Sequence, residues 1–323
     1  MGSLGCWRGV SERVLSQPVV IARPFWPRAG RAAGLGVAAL LLLAYVMGPV
    51  CWLVSSSLQT EREIVSIPPH WIPEQPTLFN FRAILAAGLG QPLPTAGSDP
   101  ASGGFIPSTA ANLLPAMANS LIVAVAIVVL NLLIGVPAAY AIAKIRFRGR
   151  QAALYGILAT RVLPDIALVV PFFLVIRKLG LLDTRLSLVA TYLAVTVPFS
   201  VFILASFIEQ LPDDLDKAAR VDGCSRLQTL LRVFLPLARP ALVAVGLFAF
   251  LASWNEFLLA LMFTQTAASQ TLPIIVASFT SDFTVSFSFL NAAGVLAVAP
   301  PVILAILFER HIVSGLTAGA VKG

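Results

Sequence analysis

Charge is scarce in this 323-residue chain. Asp, Glu, Lys and Arg together make up 11% of it, whereas soluble domains carry about a quarter. That shortage, with 58% hydrophobic residues and a mean hydropathy of +0.89, excludes an ordinary water-soluble fold. Histidine is nearly absent: His70 and His311 are the only two, too few for a His-rich metal centre. The three cysteines, Cys6, Cys51 and Cys224, lie far apart and suggest neither a disulfide framework nor a metal site. No GxxxxGK[ST] sequence is present, so the chain has no conventional cradle for ATP phosphates. HExxH and GxSxG are also missing, as is any cluster of His, Asp or Cys, which argues against a membrane enzyme. Residues 1–31 carry five arginines and no apolar core of a signal peptide, and Gly5-Cys6 lacks the apolar run that a lipidation site needs.

Long apolar runs are abundant. A hydrocarbon core of about 30 Å needs roughly 20 apolar residues per helix. Six windows meet that need: about 32–55, 116–143, 152–176, 186–208, 237–264 and 290–309. The expected fold is therefore all-α and integral to a membrane, with six transmembrane helices. Most windows contain proline (Pro49, Pro137, Pro164, Pro171, Pro198, Pro300, Pro301), which neighbouring helices can accommodate in lipid. With the N-terminus placed in the cytoplasm, sixteen Lys/Arg fall inside, five outside, and Arg161 within a span. That asymmetry follows the positive-inside rule and accounts for the net charge of +7 without a nucleic-acid partner.

This reading divides the chain into a cytoplasmic tail (1–31), a first transmembrane helix (32–55), an external loop (56–115), a five-helix core (116–312) and a cytoplasmic C-terminal tail (313–323). Within the external loop, Gly88 to Asn112 holds five Gly, four Pro and three Ser in 25 residues and reads as a flexible insertion.

One cytoplasmic stretch breaks the apolar pattern. "DDLDKAARVDGCSRLQTLLRVFLPLARP", Asp213 to Pro240, holds five Lys/Arg and four Asp/Glu. Pro212 suits a first helical turn, and Asp213, Asp214 and Asp216 suit the positive end of a helix dipole. Asp213–Lys217 and Asp216–Arg220 have the spacing of intrahelical ion pairs. Gly223 ends this helix, and Ser225 caps a second one whose Leu227, Leu230, Leu231, Phe234 and Leu235 form an apolar stripe. The residues alone leave two readings open: a solvated loop helix, or a helix whose small Ala218 and Ala219 admit a partner's groove.

Four stretches resemble one family. "KAARVDGC" (217–224) followed by "FLPLARP" (234–240) resembles the cytoplasmic EAA loop of ABC importer permeases. "ANSLIVAVAIVVLNLLIGVPAAYAIAKIRFRGR" (118–150) looks like that family's second span, and "LASWNEFLLALMF" (251–263) like its fifth. "GLTAGAVKG" (315–323) resembles the C-terminal tail of the maltose-type carbohydrate permeases. The resemblance implies a transport subunit, not an enzyme, without a cofactor of its own. It would pair with a second permease, with two ATPase subunits that use ATP and Mg, and with an external substrate-binding protein. It implies a bacterial-type inner membrane, both termini cytoplasmic, and alternating access driven through a docking helix of Asp216, Lys217, Ala218, Ala219, Arg220, Asp222 and Gly223. Lys217 stands where the family pattern has Glu, which points to an ATPase groove of altered charge or to a Lys217 directed at solvent.

Polar residues inside apolar windows are the other candidates. Arg161 and Asp165 are four apart around Pro164, either an internal ion pair or part of a translocation path. Asn255 and Glu256 read as interhelical hydrogen bonding or as path residues. Asn131, Tyr140, Thr191, Thr196 and Asn291 are further path candidates, and Trp254 reads as packing rather than a sugar platform. A channel or secondary transporter, working without an ATPase, is the alternative function.

Overall fold

The structure, a computed structural model, describes residues 28–92, 106–280 and 285–317. Most of the N-terminal tail, most of the Gly88–Asn112 insertion and the end of the C-terminal tail therefore lie outside the described residues, as does Cys6. The chain divides into two units, Met1–Cys51 and Trp52–Gly323. All regular secondary structure among the described residues is helical.

The first helix, α1, covers Arg28–Ser57. A short helix α2 (Glu61–Ile64) and a longer α3 (Phe79–Gly88) follow. Next come α4 (Ala110–Lys144), α5 (Arg150–Ala159), α6 (Asp165–Lys178) and α7 (Arg185–Gln210). The charged stretch holds α8 (Asp214–Val221), α9 (Arg226–Thr229) and the three-residue α10 (Leu235–Leu237). The chain then forms α11 (Arg239–Trp254), α12 (Leu258–Phe263), α13 (Leu272–Ser278) and α14 (Phe287–Thr317).

Four helical stretches are long and apolar enough to cross a membrane unbroken: Ala32–Ser57, Ala110–Lys144, Arg185–Gln210 and Phe287–Glu309. Two further spans exist only if bent pairs are counted. Arg150–Val162 meets Asp165–Lys178 at 97°, and Arg226–Leu237 meets Arg239–Trp254 at 83°. The third apolar window is thus not the straight helix its hydropathy implies. Pro164 forces the break: Leu163 before it is extended (φ −71°, ψ 128°), because the proline ring disfavours helical backbone one residue earlier. The fifth window is also interrupted. Its helix stops at Trp254 and resumes at Leu258, with Asn255 and Glu256 in the gap. The prolines at 49, 115, 137, 171, 198, 300 and 301 stay within their helices.

Helix α4 is the spine of the larger unit. Its Leu113 and Ala124 enter one core with Phe79, Phe250, Trp254 and Phe289. Its Val123 and Ile127 join a second with Leu188, Tyr192 and Phe263. Its Ala139, Tyr140 and Ala143 join a third with Leu204, Ile208, Leu230 and Phe234. Ala110 to Pro115, expected in the external loop, are already the first turns of this helix.

The segment after α1 is packed, as its prolines and aromatics suggest. The Asn80 amide donates to the carbonyls of Ser57 (3.1 Å) and Gln59 (3.3 Å), Gln59 donates to the His70 carbonyl, and Trp52 meets Trp71 edge-on at 4.8 Å. The Glu61 carboxylate accepts from the Phe287 and Ser288 amides, so an acid in α2 caps the positive end of α14.

Asp183, between α6 and α7, clamps the loop that follows α12. It sits at φ 57°, a conformation Asp and Asn tolerate better than most residues. Its carboxylate accepts from the Gln265 amide (2.8 Å), the Thr266 amide (3.0 Å), the Thr266 hydroxyl and the Ser269 hydroxyl. These donors, the Ser269 hydroxyl first, hold the carboxyl well below the usual carboxylate range. A folded-state value below the unfolded one means stability that is present at neutral pH and lost as pH falls below the ordinary carboxylate value. Asp183→Asn keeps the backbone preference but removes the charge. It should lower stability in detergent by about 2 kcal/mol and flatten the fall in melting temperature on acidification. An unchanged melting temperature at neutral pH would refute the clamp.

Candidate functional site

The charged stretch folds locally as its residues dictate. Asp214 and Asp216 occupy the first turn of α8 and Arg220 the last. Gly223 turns the chain at φ +82°, with the Cys224 amide donating to the Ala219 carbonyl (2.9 Å) and the Gly223 amide to that of Arg220 (3.1 Å). Ser225 then opens α9 with a reciprocal cap: its hydroxyl accepts from the Gln228 amide, and the Gln228 side chain accepts from the Ser225 amide at 2.8 Å.

The ion pairs are not those the spacing suggests. Asp213 faces Lys144 at the end of α4, 2.7 Å away, instead of Lys217. The Lys144 ammonium also donates to the Leu211 carbonyl at 2.7 Å and lies 5.7 Å over the Phe234 ring. Its side chain is only 3% exposed. Asp216 accepts from the Tyr140 hydroxyl at 2.8 Å instead of pairing with Arg220, and the Tyr140 ring packs on Phe234 at 5.3 Å. Lys217 is left with Asp214, at 2.8 Å and largely in solvent. The hydrogen bond from Lys144 holds the Asp213 carboxyl below the usual carboxylate range, and that to Asp214 raises the Lys217 ammonium. A buried ammonium needs partners more than an exposed one does, so Lys144 takes the acid.

The apolar stripe of the second helix is also rearranged. Leu230 and Phe234 are buried, but Leu227 is 63% exposed and Leu231 51%. Leu230–Phe234 form a π-helical turn, so α-helical register is not kept beyond Leu230.

Of the expected docking residues, Ala218, Arg220, Asp222 and Gly223 are exposed, Asp216 is half-buried, and Ala219 is turned into its own chain. Val221, which the sequence reading passed over, is 87% exposed. Its neighbours are charged or small, so an apolar side chain there is the one signal that was legible. Between α8 and the α4–α5 elbow lies a cleft of about 480 Å³, lined among others by Tyr140, Lys144, Arg146, Asp216, Arg220 and Arg226.

Direct bonds do not bring the polar residues of the apolar windows together among the described residues. Among the described residues no hydrogen bond or ion pair joins Asn131, the Arg161–Asp165 pair and Glu256 to one another. Arg161 and Asp165 lie 3.7 Å apart at the 97° bend, both partly exposed. Asn131 is fully buried, and neither atom of its amide has a partner among the described residues. Asn255 is exposed and donates to its own helix at the Leu251 carbonyl. Glu256 accepts from the Leu259 and Ala260 amides and from the Tyr192 hydroxyl, which makes it the cap of α12 fastened to α7. Thr191 and Thr196 bond within their own helix. Trp254 is buried, stacks on Phe250 and donates to the Ala297 carbonyl, which is a packing role.

Residues 131–317 match the family described as "Binding-protein-dependent transport system inner membrane component". The chain belongs to that family. It is thus an ABC transporter permease, a transport subunit and not an enzyme. The permease is 36% identical over 287 residues to the sulfoquinovosyl glycerol transport system permease protein SmoH of Agrobacterium fabrum, covering 89% of this chain and 93% of the relative. It is 42% identical over 206 residues to the trehalose/maltose transport system permease protein MalG of Thermococcus litoralis, covering 64% and 74%. Its fold matches a solved bacterial ABC transporter involved in the import of the acidic polysaccharide alginate. The TM-score is 0.70 at 23% identity, over 90% of this chain and all of that one.

Proposed function

We propose that the permease is one membrane subunit of an ATP-driven importer of a carbohydrate or sugar derivative, and that α8 is its coupling helix. The observation that carries this is the fastening of α8 to α4: two acids of the loop helix bond to Tyr140 and Lys144 of the helix that runs through all three cores. A helix that merely closed a loop would not need a buried lysine to hold it. In this reading Ala218, Arg220, Val221, Asp222 and Gly223 face an ATPase subunit, and closure of the ATPase pair on ATP and Mg moves α4 in alternating access. A second permease completes the path, and an external binding protein delivers the substrate. The excess of basic residues in the inside segments supports cytoplasmic termini, and the long apolar helices support a multi-pass subunit of an inner membrane. The substrate class is supported by relatives named for sulfoquinovosyl glycerol, diacetylchitobiose and trehalose.

The test is co-expression of the full chain with a companion permease and ATPase, followed by reconstitution into liposomes. The expected result is a stable complex whose ATP hydrolysis rises when the sugar-loaded binding protein is added, with uptake that requires ATP. Uptake by this chain alone, driven by an ion gradient, would make it a secondary transporter and overturn the proposal.

A further inference from the structure

The charges around the α8 cleft can be counted against their partners. Every acid that lines it is engaged from within the chain: Asp213 by Lys144, Asp216 by the Tyr140 hydroxyl, and Glu209 by Arg150. Three of its cations are engaged as well, Lys144 and Arg150 by those acids and Lys217 by Asp214. Arg146, Arg220 and Arg226 are left. Among the described residues none of the three has a carboxylate within ion-pairing distance, and all three are exposed. Beside them, at the corner between α8 and α9, stand Val221 and Leu227, 87% and 63% exposed.

Single exposed arginines are ordinarily solvated, and a single exposed apolar residue needs no explanation. Here three unpaired guanidinium groups border one concavity of about 480 Å³, next to two bare aliphatic side chains. Arginine with exposed apolar groups is the composition of a binding surface, since guanidinium is weakly hydrated and holds carboxylates in a two-pronged grip. The lining carries six Lys/Arg against three acids, and with Asp214 and the exposed Asp222 beside them the corner still offers a net positive charge.

We propose that this corner receives an acidic rim of the ATPase subunit: carboxylates on the partner answer Arg146, Arg220 and Arg226, and an apolar floor takes Val221 and Leu227. The proposal rests on α8 being the coupling helix and adds the sign of the partner's charge. It also relocates the electrostatics of docking. Lys217, where the family pattern has Glu, is neutralised by its own helix, so recognition passes to the three arginines.

The experiment uses the assembled transporter purified in detergent. Arg220→Lys and Arg226→Lys keep the charge and supply amines, and a zero-length carbodiimide reagent then joins an amine to any carboxylate in direct contact. The expected result is a cross-link from position 220 or 226 to an Asp or Glu of the ATPase. In parallel, Arg220→Glu with Arg226→Glu should weaken ATPase association about tenfold or more, because like charges then meet, and more than the two Arg→Gln changes do. Cross-links confined to this chain, or an affinity untouched by charge reversal while the ATPase stays bound, would overturn the acidic rim and leave the coupling helix standing. Loss of co-purified phosphatidylglycerol on charge reversal, with ATPase affinity unchanged, would overturn it in favour of a lipid headgroup site. A wild-type chain that holds no ATPase would overturn the coupling helix and this proposal together.

Discussion

Gly223→Val should release the ATPase and abolish uptake while the membrane helices stay folded. The glycine lies at φ +82°, where an L residue is strained by about 1–2 kcal/mol, and a β-branched one by more. No atom lies within 4 Å of the position a Cβ would take, so the effect is conformational rather than a clash. A valine forces the turn open, breaks the hydrogen bonds from the Gly223 and Cys224 amides that close α8, and swings Arg226 and Leu227 away from Arg220 and Val221. Asparagine tolerates the left-handed region, so Gly223→Asn should retain most of the function. The decisive comparison is ATPase co-elution and uptake for the two variants, with the melting temperature of the permease as a folding control. A loss of about tenfold or more is expected for valine if the turn geometry is what docks, since the strain alone is worth about that factor. Valine and asparagine variants that behaved alike would mean that the bend is not what the ATPase recognises.

What the sequence made legible here is what acts over a few residues. The turn at Gly223 and the cap at Ser225 are local events, set by one backbone angle and one side chain, and both occur where the residues place them. Helices α1, α4, α7 and α14 are legible for a related reason: an unbroken apolar run long enough to cross lipid has few other fates. The 97° bend at Pro164 was hidden because other prolines in this chain sit inside intact helices, and a proline count does not tell which preceding residue becomes extended. The pairing of α8 was hidden for a different reason. Spacing within one helix nominates Lys217 and Arg220 as partners of Asp213 and Asp216. The residues that win, Lys144 and Tyr140, are 69 and 76 positions away and come close only when α4 packs on α7 and Phe234. Glu61 and Asp183 were missed as well. Glu61 lies in a four-residue helix and Asp183 in a connecting turn, and the donors of each lie more than 80 residues on in the sequence, at 286–288 and 265–269.

The bonds from α4 to α8 carry the second large prediction. If they transmit motion, cutting them should separate ATP hydrolysis from transport. Tyr140→Phe keeps the ring against Phe234 and removes only the bond to Asp216. Lys144→Met keeps a chain of similar length against Phe234 but leaves the Leu211 carbonyl without its donor and Asp213 without its cation. Each change costs about 1–3 kcal/mol, the worth of a hydrogen bond to a charged group. The outward face, with Val221 and Gly223, remains in place, so the ATPase should stay bound. The double variant is therefore expected to hydrolyse ATP within about twofold of wild type while uptake falls about tenfold or more, as a coupling free energy of 1–3 kcal/mol allows. The quantity to measure is sugar moved per ATP consumed, because a merely structural defect lowers both rates together and leaves the ratio unchanged. Lys144→Arg should restore part of the ratio, since a guanidinium can still reach a carboxylate beside it. Each single change should lose less than the double, and the cycle of single and double variants gives the share that the two bonds hold in common. A ratio that stays constant across the series would place Tyr140 and Lys144 among the packing residues of the third core and leave the motion of α8 to reach α4 through Phe234 alone.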